Sequence, residues 1–232
     1  MSNIKTKNKS KIVNLFDKSK KYKLEEAIET VKECCYAKFD ESIDVSVALG
    51  IDAKKSDQIV RGVVVLPHGN GKTKKVLAIC PSGEEDKCLA AGADYAGGDD
   101  YLKKISEGWC DCDVIVTTPA MMIKFGKLGK ILGPKGLMPN PKTGGVTTDL
   151  VKAIKDIKAG RVEFRCDKDG YVHNSIGRKS FSDDKIIENI KAFMEALAKA
   201  KPASSKGVFL KQLTLSSTMG CGVTVDMTSL GR

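Results

Sequence analysis

The segment Leu132-Gly133-Pro134-Lys135-Gly136-Leu137-Met138-Pro139-Asn140-Pro141-Lys142-Thr143-Gly144-Gly145 is the most unusual part of the sequence. It contains three prolines and four glycines, and we call it the proline loop. Glycine adopts backbone angles that other residues avoid, whereas proline fixes φ and lacks an N–H donor. The composition therefore predicts a loop of defined path that is neither a helix nor a central strand.

The proline loop is also strongly basic. It carries Lys135 and Lys142, with Leu137 and Met138 between them, and residues 121–145 contain five lysines and no acidic residue. Two interpretations fit this pattern. The loop is either a solvated turn region, or a positively charged surface of fixed shape that contacts phosphate.

Composition favours an anionic partner. The chain has 232 residues, enough for one large domain or two small ones, and its 41% hydrophobic content is sufficient for a core. Lysine and arginine number 39 against 29 acidic residues, which gives a formal net charge of +10. Such a charge suits RNA, DNA or a membrane surface, and it does not distinguish among them.

The cysteines and the hydropathy pattern indicate the cellular compartment of the protein. Eight cysteines occur without any C-x-x-C spacing, and the N-terminus lacks the apolar core of a secretory leader. We therefore expect most cysteines to be small buried hydrophobes in a reducing cytosol. No run approaches the roughly twenty apolar residues of a membrane span, so no membrane contact is predicted.

The N-terminal arm, residues 1–23, holds eight lysines and one acid. It is either a disordered solubilising tail or an arm that contacts RNA phosphates in the bound state.

Two flanking regions have the pattern of an antiparallel α+β domain. Residues 42–50 alternate strictly between apolar and polar, as in a half-buried strand, and residues 162–166 alternate in the same way. Asp169-Gly170 predicts a hairpin turn into residues 171–176. The other predicted elements here are helices beginning at Leu24 and spanning 183–199, the second with Ser182 as N-cap, and strands 63–66, 209–217 and 223–227.

The central region, residues 68–159, alternates strands with helices, which indicates a small α/β unit with a largely parallel sheet. Its predicted strands are 76–80 and 114–117; its predicted helices are 84–93, 100–107, 119–130 and 150–158, the last capped by Asp149. We therefore predict an α/β and α+β protein of two domains. A discontinuous α+β domain, residues 1–67 plus 160–232, is interrupted by an inserted Rossmann-like α/β domain, residues 68–159, with a double hinge between them.

The sequence offers little for catalysis. Gly71-Lys72-Thr73 resembles the end of a phosphate-binding loop, but Leu66 stands where its first glycine is required and a strand follows instead of a helix. We predict no catalytic residue, cofactor or metal. The alternatives to an RNA-binding protein are an α/β enzyme that acts on a nucleotide or RNA, and a basic scaffold that binds DNA.

The candidate RNA-contacting residues lie at predicted strand ends. Ser217 and Thr218 offer hydroxyls for ribose and phosphate, Met219 an apolar contact, and Gly220 room for a second backbone. The alternative is an ordinary turn.

A second group of candidates precedes the first predicted strand. Lys38 can pair with phosphate while Phe39 packs on a ribose or base, with Ser42 beside them; the alternative for Phe39 is a core aromatic. Asp167 and Lys168 stand at a further strand end.

GPKGLMPNPKTGG in the proline loop, AKFDES at 37–42 and STMG at 217–220 together resemble the L-one family of large-subunit ribosomal proteins. The chain departs from the family pattern at Gly145, Gln212 and Cys221. The resemblance covers essentially the whole chain and implies the two-domain fold with an inserted domain. It also implies that AKFDES and STMG contact the rRNA backbone, with Asp167 and Lys168 in a further contact region.

The resemblance further implies a non-enzymatic, cytoplasmic protein that binds the stalk region of large-subunit rRNA. It implies that the chain forms the mobile stalk involved in release of exit-site tRNA, with Lys135 and Lys142 as a secondary contact with RNA or tRNA. Finally, it implies binding to the mRNA of its own operon as a translational repressor, and a monomeric state outside the ribosome.

Overall fold

A computed structural model describes residues 17, 20–53, 55–81, 83–205 and 207–230. Most of the predicted N-terminal arm lies outside these residues. The described chain is a mixed α/β protein with several sheets, as the alternating patterns predicted. It divides into two compact units: unit 1 comprises residues 1–71 and 164–232, and unit 2 residues 72–163. The sequence predicted the two boundaries between the domains after residues 67 and 159.

Unit 1 is built on a four-stranded antiparallel sheet. Its strands are β1 (Ser42–Leu49), β7 (Tyr171–Arg178), β8 (Leu210–Ser217) and β9 (Gly222–Val225), in the order β7-β1-β8-β9. The predicted alternation of β1 is confirmed, since every second residue from Ile43 to Leu49 is buried. β1 is central, and both of its neighbours come from the C-terminal third of the chain.

Two amphipathic helices cover the apolar face of this sheet. They are α1 (Leu24–Glu33), which packs on β8 and β9, and α7 (Asp183–Lys199), which packs on β7. Ile28 of α1 and Phe193 of α7 are fully buried. Ser182 is the N-cap residue of α7, as predicted, although its side chain makes no capping hydrogen bond.

A second, two-stranded sheet pairs β2 (Arg61–Val65) with β6 (Arg161–Arg165). β2 begins two residues before the predicted strand, which started at residue 63. Asp169-Gly170 does form a turn, with Gly170 at φ +82°, but β6 and β7 do not form the predicted hairpin. Among the described residues, an isolated bridge from Cys166 to Val172 joins the region of β6 to β7, while β6 pairs with β2 and β7 pairs with β1.

Unit 2 contains a three-stranded parallel sheet in the order β4-β3-β5. Its strands are β3 (Val76–Ile79), β4 (Tyr95–Gly97) and β5 (Val114–Thr117). All of β3 is buried because helices cover both faces of the sheet. α2 (Glu85–Ala90) and α6 (Leu150–Lys158) lie on one face; α3 (Asp99–Ser106) and α4 (Pro119–Phe125) lie on the other.

The structure corrects three predictions in unit 2. β4 was not predicted, because three residues are too few to show a period. The predicted helix 119–130 is divided into α4, a 3-10 turn at Gly126–Leu128 and α5 (Gly129–Leu132), with a glycine at each junction. The proline loop, predicted to contain no helix, includes the end of α5 and a 3-10 turn at Pro141–Thr143. The Asp149 cap is confirmed, since its side chain accepts from the Lys152 N–H.

The cysteines lie mainly in the two cores. All eight are free and six are buried. Burial is the main cause that raises the pKa of Cys34 to about 11 and that of Cys80 to about 12. Neutral thiols of this kind behave as small hydrophobes. In the described part of the chain, the helices are too short or too polar to cross a lipid bilayer.

Candidate nucleic-acid interface

The start of β1 and the end of β8 are joined by reciprocal hydrogen bonds. The Ser42 N–H donates to Thr218 Oγ1 at 2.9 Å, and the Thr218 N–H donates to the Ser42 carbonyl at 3.1 Å. The pairing follows from the register of the sheet, in which Ile43 lies opposite Ser217. The two candidate segments, 38–42 and 217–220, are therefore neighbours although 176 residues separate Ser42 from Thr218.

Glu41 joins the same two segments from inside the protein. Its side chain is fully buried; Oε1 accepts from the Ala37 N–H at 2.8 Å and Oε2 from the Met219 N–H at 3.1 Å. Burial alone would raise the pKa of this carboxyl. The two amides, the Ser217 hydroxyl and the Lys179 ammonium outweigh burial and hold the pKa below its usual range. Glu41 is therefore an ionised, fully bonded buried carboxylate.

Gly220 is required by the packing of this strand end. Its N–H donates to Ser217 Oγ at 3.0 Å, and a Cβ at position 220 would lie 2.2 Å from that oxygen. Ser217 itself is buried. The atom that requires glycine at position 220 is therefore this side-chain hydroxyl, and the approach of a second backbone remains a prediction.

The apolar candidate residues are exposed to solvent. Phe39 is 55% exposed and Met219 is 53% exposed, and Lys38 is exposed beside them. The alternative that Phe39 is a core aromatic is therefore wrong. Because Ala37 and Met219 bind the same carboxylate, the ring of Phe39 and the thioether of Met219 belong to one small region. A polar chain exposes such side chains together mainly where a partner covers them.

Basic groups surround this region. Arg178, the last residue of β7, lies opposite Ser42 and donates through Nη1 to the Asp40 carbonyl at 2.9 Å. Lys179 Nζ donates to the Cys35 carbonyl at 3.2 Å. The Asp40 carboxylate accepts from the N–H and the hydroxyl of Ser180 at 3.1 and 2.8 Å.

Asp167 and Lys168 lie at the opposite end of the sheet. They precede β7, whose first residue, Tyr171, pairs with Ala48, while Ser42 pairs with Arg178. The length of β1 separates the two ends by about 23 Å, at about 3.3 Å per residue. The structure therefore brings residues 38–42 and 217–220 together and does not bring Asp167 and Lys168 to them.

The Asp167 carboxylate organises its own turn. Oδ1 accepts from the N–H groups of Tyr171 and Asp169 at 2.9 and 3.0 Å, and Oδ2 lies 3.4 Å from His173 Nε2. The Tyr171 amide is the main cause that lowers the pKa of Asp167, with Asp169 and His173 adding to it. Asp167 thus fixes the backbone that presents Lys168, which is exposed.

The proline loop has a fixed path within unit 2. Gly136 and Gly144 adopt φ of +71° and +62°, and the Gly145 N–H donates to the Asn140 carbonyl at 3.0 Å. Arg161 donates through Nη2 to the Thr143 carbonyl. Lys135 is exposed, whereas the side chain of Lys142 lies outside the described residues. A Cβ at Gly145 would lie 3.2 Å from the Asn140 nitrogen, which a small shift accommodates.

Glu41 is the residue that sequence reasoning missed. It lies inside the AKFDES segment but was not selected, because its role depends on the Met219 N–H, which comes from a distant part of the chain. The sequence signal for Glu41 would have been an acidic residue directly before a strand that has one apolar face. Among the described residues, His, Cys, Asp and Glu form no cluster that could hold a metal ion.

A mixed α/β fold whose sheet end exposes an aromatic ring, a thioether and lysines is typical of a nucleic-acid-binding protein. The chain belongs to the Ribosomal protein L1p/L10e family, whose sequence profile matches residues 31–221. It is 54% identical over 221 residues to the Large ribosomal subunit protein uL1 of Amoebophilus asiaticus (strain 5a2), and the match covers 95% of each chain.

These matches confirm the resemblance that the sequence motifs indicated. The chain is a structural protein of the cytoplasmic ribosome and is not an enzyme. The alternative of an α/β enzyme that acts on a nucleotide or RNA is therefore excluded. They also support a role in binding large-subunit rRNA.

Proposed function

We propose that unit 1 binds the stalk region of large-subunit rRNA through the 38–42 and 217–220 segments. One observation carries the proposal. Phe39 and Met219 are each more than half exposed, although the backbones next to them are held by a fully buried carboxylate. Ordered backbone beneath exposed apolar groups is the property of a preformed binding surface, because the ordering cost is met before the partner arrives.

The chemistry of this surface suits recognition of RNA shape. Phe39 stacks on a base or ribose, Met219 packs on a sugar face, and Lys38 neutralises phosphate. The Thr218 hydroxyl reaches a ribose 2′-OH or a phosphate at the strand end. We assign Lys168, presented by Asp167 at the other end of the sheet, to a separate backbone contact. A site about 23 Å away meets a different part of an RNA helix.

We further propose that a double hinge joins a discontinuous domain, residues 1–67 plus 160–232, to an inserted Rossmann-like domain, residues 68–159. Its proline loop presents Lys135 and Lys142 to rRNA or to exit-site tRNA, so that the protein acts as the mobile stalk involved in tRNA release. The fixed path of the loop supports this role, since rigid presentation lowers the entropic cost of each phosphate contact.

We also propose that the same unit 1 surface binds the mRNA of the protein's own operon and represses its translation, and that the protein is a monomer outside the ribosome. An mRNA that reproduces the rRNA site would compete for one surface. Binding of the two RNAs should therefore be mutually exclusive.

The binding experiment tests single substitutions at the proposed site. Thr218→Ala and Met219→Ala should each weaken binding to stalk rRNA by about 1–3 kcal/mol, the range for an interfacial hydrogen bond or buried contact. The unfolding midpoint should barely change in Met219→Ala and should fall slightly in Thr218→Ala, which removes the acceptor of the Ser42 N–H. Thr147→Ala and Met122→Ala in unit 2 serve as matched controls. Full-strength binding by the Thr218/Met219 double variant would refute the site, and better competition by duplex DNA than by stalk RNA would favour a DNA scaffold.

A further inference from the structure

Glu41 lies beneath the proposed RNA-binding surface and does not reach it. Its side chain is fully buried, yet each carboxylate oxygen accepts from the backbone of a different exposed segment. Ala37 stands two residues before Phe39, and Met219 donates its own N–H. The distance from Phe39 to Met219 is therefore controlled through one buried side chain.

The two N–H donors that face the side chain of residue 41 require a carboxylate as their acceptor. Two N–H groups face the side chain from opposite segments, and an ionised carboxylate has two acceptor oxygens and no donor. A glutamine at position 41 would offer one acceptor and would turn its own NH2 group against the other N–H. A buried charge is costly unless it is fully bonded. The Ser217 hydroxyl and the Lys179 ammonium complete the set of partners.

The sheet alone does not supply this control. The bonds between Ser42 and Thr218 align the strand ends, but they stop one residue short of Met219 and three residues short of Phe39. Beyond them, Phe39 and Met219 are exposed to water, and burial in the core does not hold their side chains. The Ala37–Glu41–Met219 connection extends the order of the sheet to these two residues.

We propose that Glu41 is a positioning residue for RNA binding, which couples Phe39 to Met219 so that they act as one preformed contact. The proposal rests on the proposed function of this surface. It predicts that Phe39 and Met219 each contribute less to RNA affinity once Glu41 loses one of its acceptors.

The test uses Glu41→Gln in the full-length protein, at a temperature well below its unfolding midpoint. We expect binding to stalk rRNA to weaken at least about tenfold, which corresponds to about 1.4 kcal/mol. Phe39→Ala and Met219→Ala should each cause a smaller loss of affinity in the Glu41→Gln background than in the wild type. Asn189→Ala is the matched control. Asn189 is equally buried in unit 1 and bonds the His68 N–H and the Gly69 and Ile176 carbonyls. It should lower stability and leave RNA affinity unchanged.

A second measurement does not involve RNA. Hydrogen exchange of the Ala37 and Met219 amides should accelerate in Glu41→Gln, while the Val45 amide in the middle of β1 keeps its protection. Should Glu41→Gln fail to fold, Ser217→Ala removes one partner of the carboxylate and should shift exchange and affinity in the same direction.

The outcomes separate the two proposals. Unchanged exchange at Ala37 and Met219, or undiminished effects of Phe39→Ala and Met219→Ala in the Glu41→Gln background, overturns the positioning role. Full RNA affinity of Phe39→Ala and Met219→Ala in the otherwise wild-type protein overturns the RNA site itself.

Discussion

Replacing Gly220 by alanine tests the geometry of the proposed site most directly. The new Cβ would lie 2.2 Å from Ser217 Oγ, whereas its next neighbours, the Cys34 carbonyl oxygen and Cβ, are at 3.4 and 3.5 Å. Only the serine hydroxyl therefore has to move. It cannot move freely, because it accepts from the Gly220 N–H and hydrogen-bonds the Glu41 carboxylate.

The cost follows from these contacts. Breaking the hydroxyl's bonds leaves buried polar groups unsatisfied, which costs about 1–3 kcal/mol, and a strained rotamer adds about 0.5–1.5 kcal/mol. We expect Gly220→Ala to lower the free energy of unfolding of unit 1 by about 2–4 kcal/mol. Binding to stalk rRNA should weaken as well, because the displaced hydroxyl also bonds the Glu41 carboxylate, which holds the Met219 N–H.

Urea unfolding measures this loss. Far-UV circular dichroism follows both units, while the fluorescence of Trp109, the single tryptophan, reports on unit 2 and serves as an internal control. The Trp109 transition should stay in place while the unit 1 transition moves to lower urea. Ser217→Ala removes the colliding oxygen, so Gly220→Ala should cost markedly less in that background. An equal cost in both backgrounds, or no cost in either, would refute the reasoning.

Three further predictions concern the division of the chain, the proline loop and Glu41. A chain that joins residues 1–67 to 160–232 through a short Gly/Ser link keeps β6 and the four-stranded sheet, so it should fold and retain most of the rRNA affinity; if it folds and does not bind, the main site lies in unit 2. Lys135→Gln combined with Lys142→Gln should flatten the slope of log affinity against log salt by up to about one unit, since each phosphate neutralised on single-stranded RNA contributes about −0.7. Stability should stay within about 0.5 kcal/mol, and an unchanged slope together with unchanged tRNA release would leave the loop a purely structural role. The lowered pKa of Glu41 means that its contribution to stability is present above the usual glutamate pKa of about 4.3 and is lost as the pH falls through the lower folded-state value. Acid titration of unit 1 by circular dichroism should show this loss in the wild type and a weaker one in Glu41→Gln, and identical curves would exclude the linkage.

Local periodicity predicted most elements of the fold. The alternation in β1, the apolar run of β3 and the cap at Asp149 each depend on residues within one segment. Two failures had local causes, the short β4 and the helix that Gly126 and Gly129 divide, whereas a third depended on distant partners. Asp169-Gly170 makes the turn it encodes, but β6 pairs with β2 and β7 pairs with β1, and an isolated bridge from Cys166 to Val172 joins their regions.

The candidate site could be predicted only in part, because its geometry also depends on contacts between distant segments of the chain. Phe39 and Thr218 could be selected as types of residue at strand ends, but their adjacency depends on a register between β1 and β8 that no local pattern encodes. Lys168 was assigned to a further contact region, and it lies at the other end of the sheet from Lys38. Glu41 was missed because its role depends on two N–H groups, one of them from a segment far away in the chain.

The strand order β7-β1-β8-β9 has a consequence for biosynthesis. Unit 2 is continuous in sequence, so all of its residues have been synthesised once residue 163 has been added. β1 is made early, but its neighbours β7 and β8 are made last, so its edges stay unpaired during most of elongation. The proposed surface cannot assemble before β8 leaves the translating ribosome. A nascent chain is therefore unable to capture RNA through this surface, and only finished molecules compete for it.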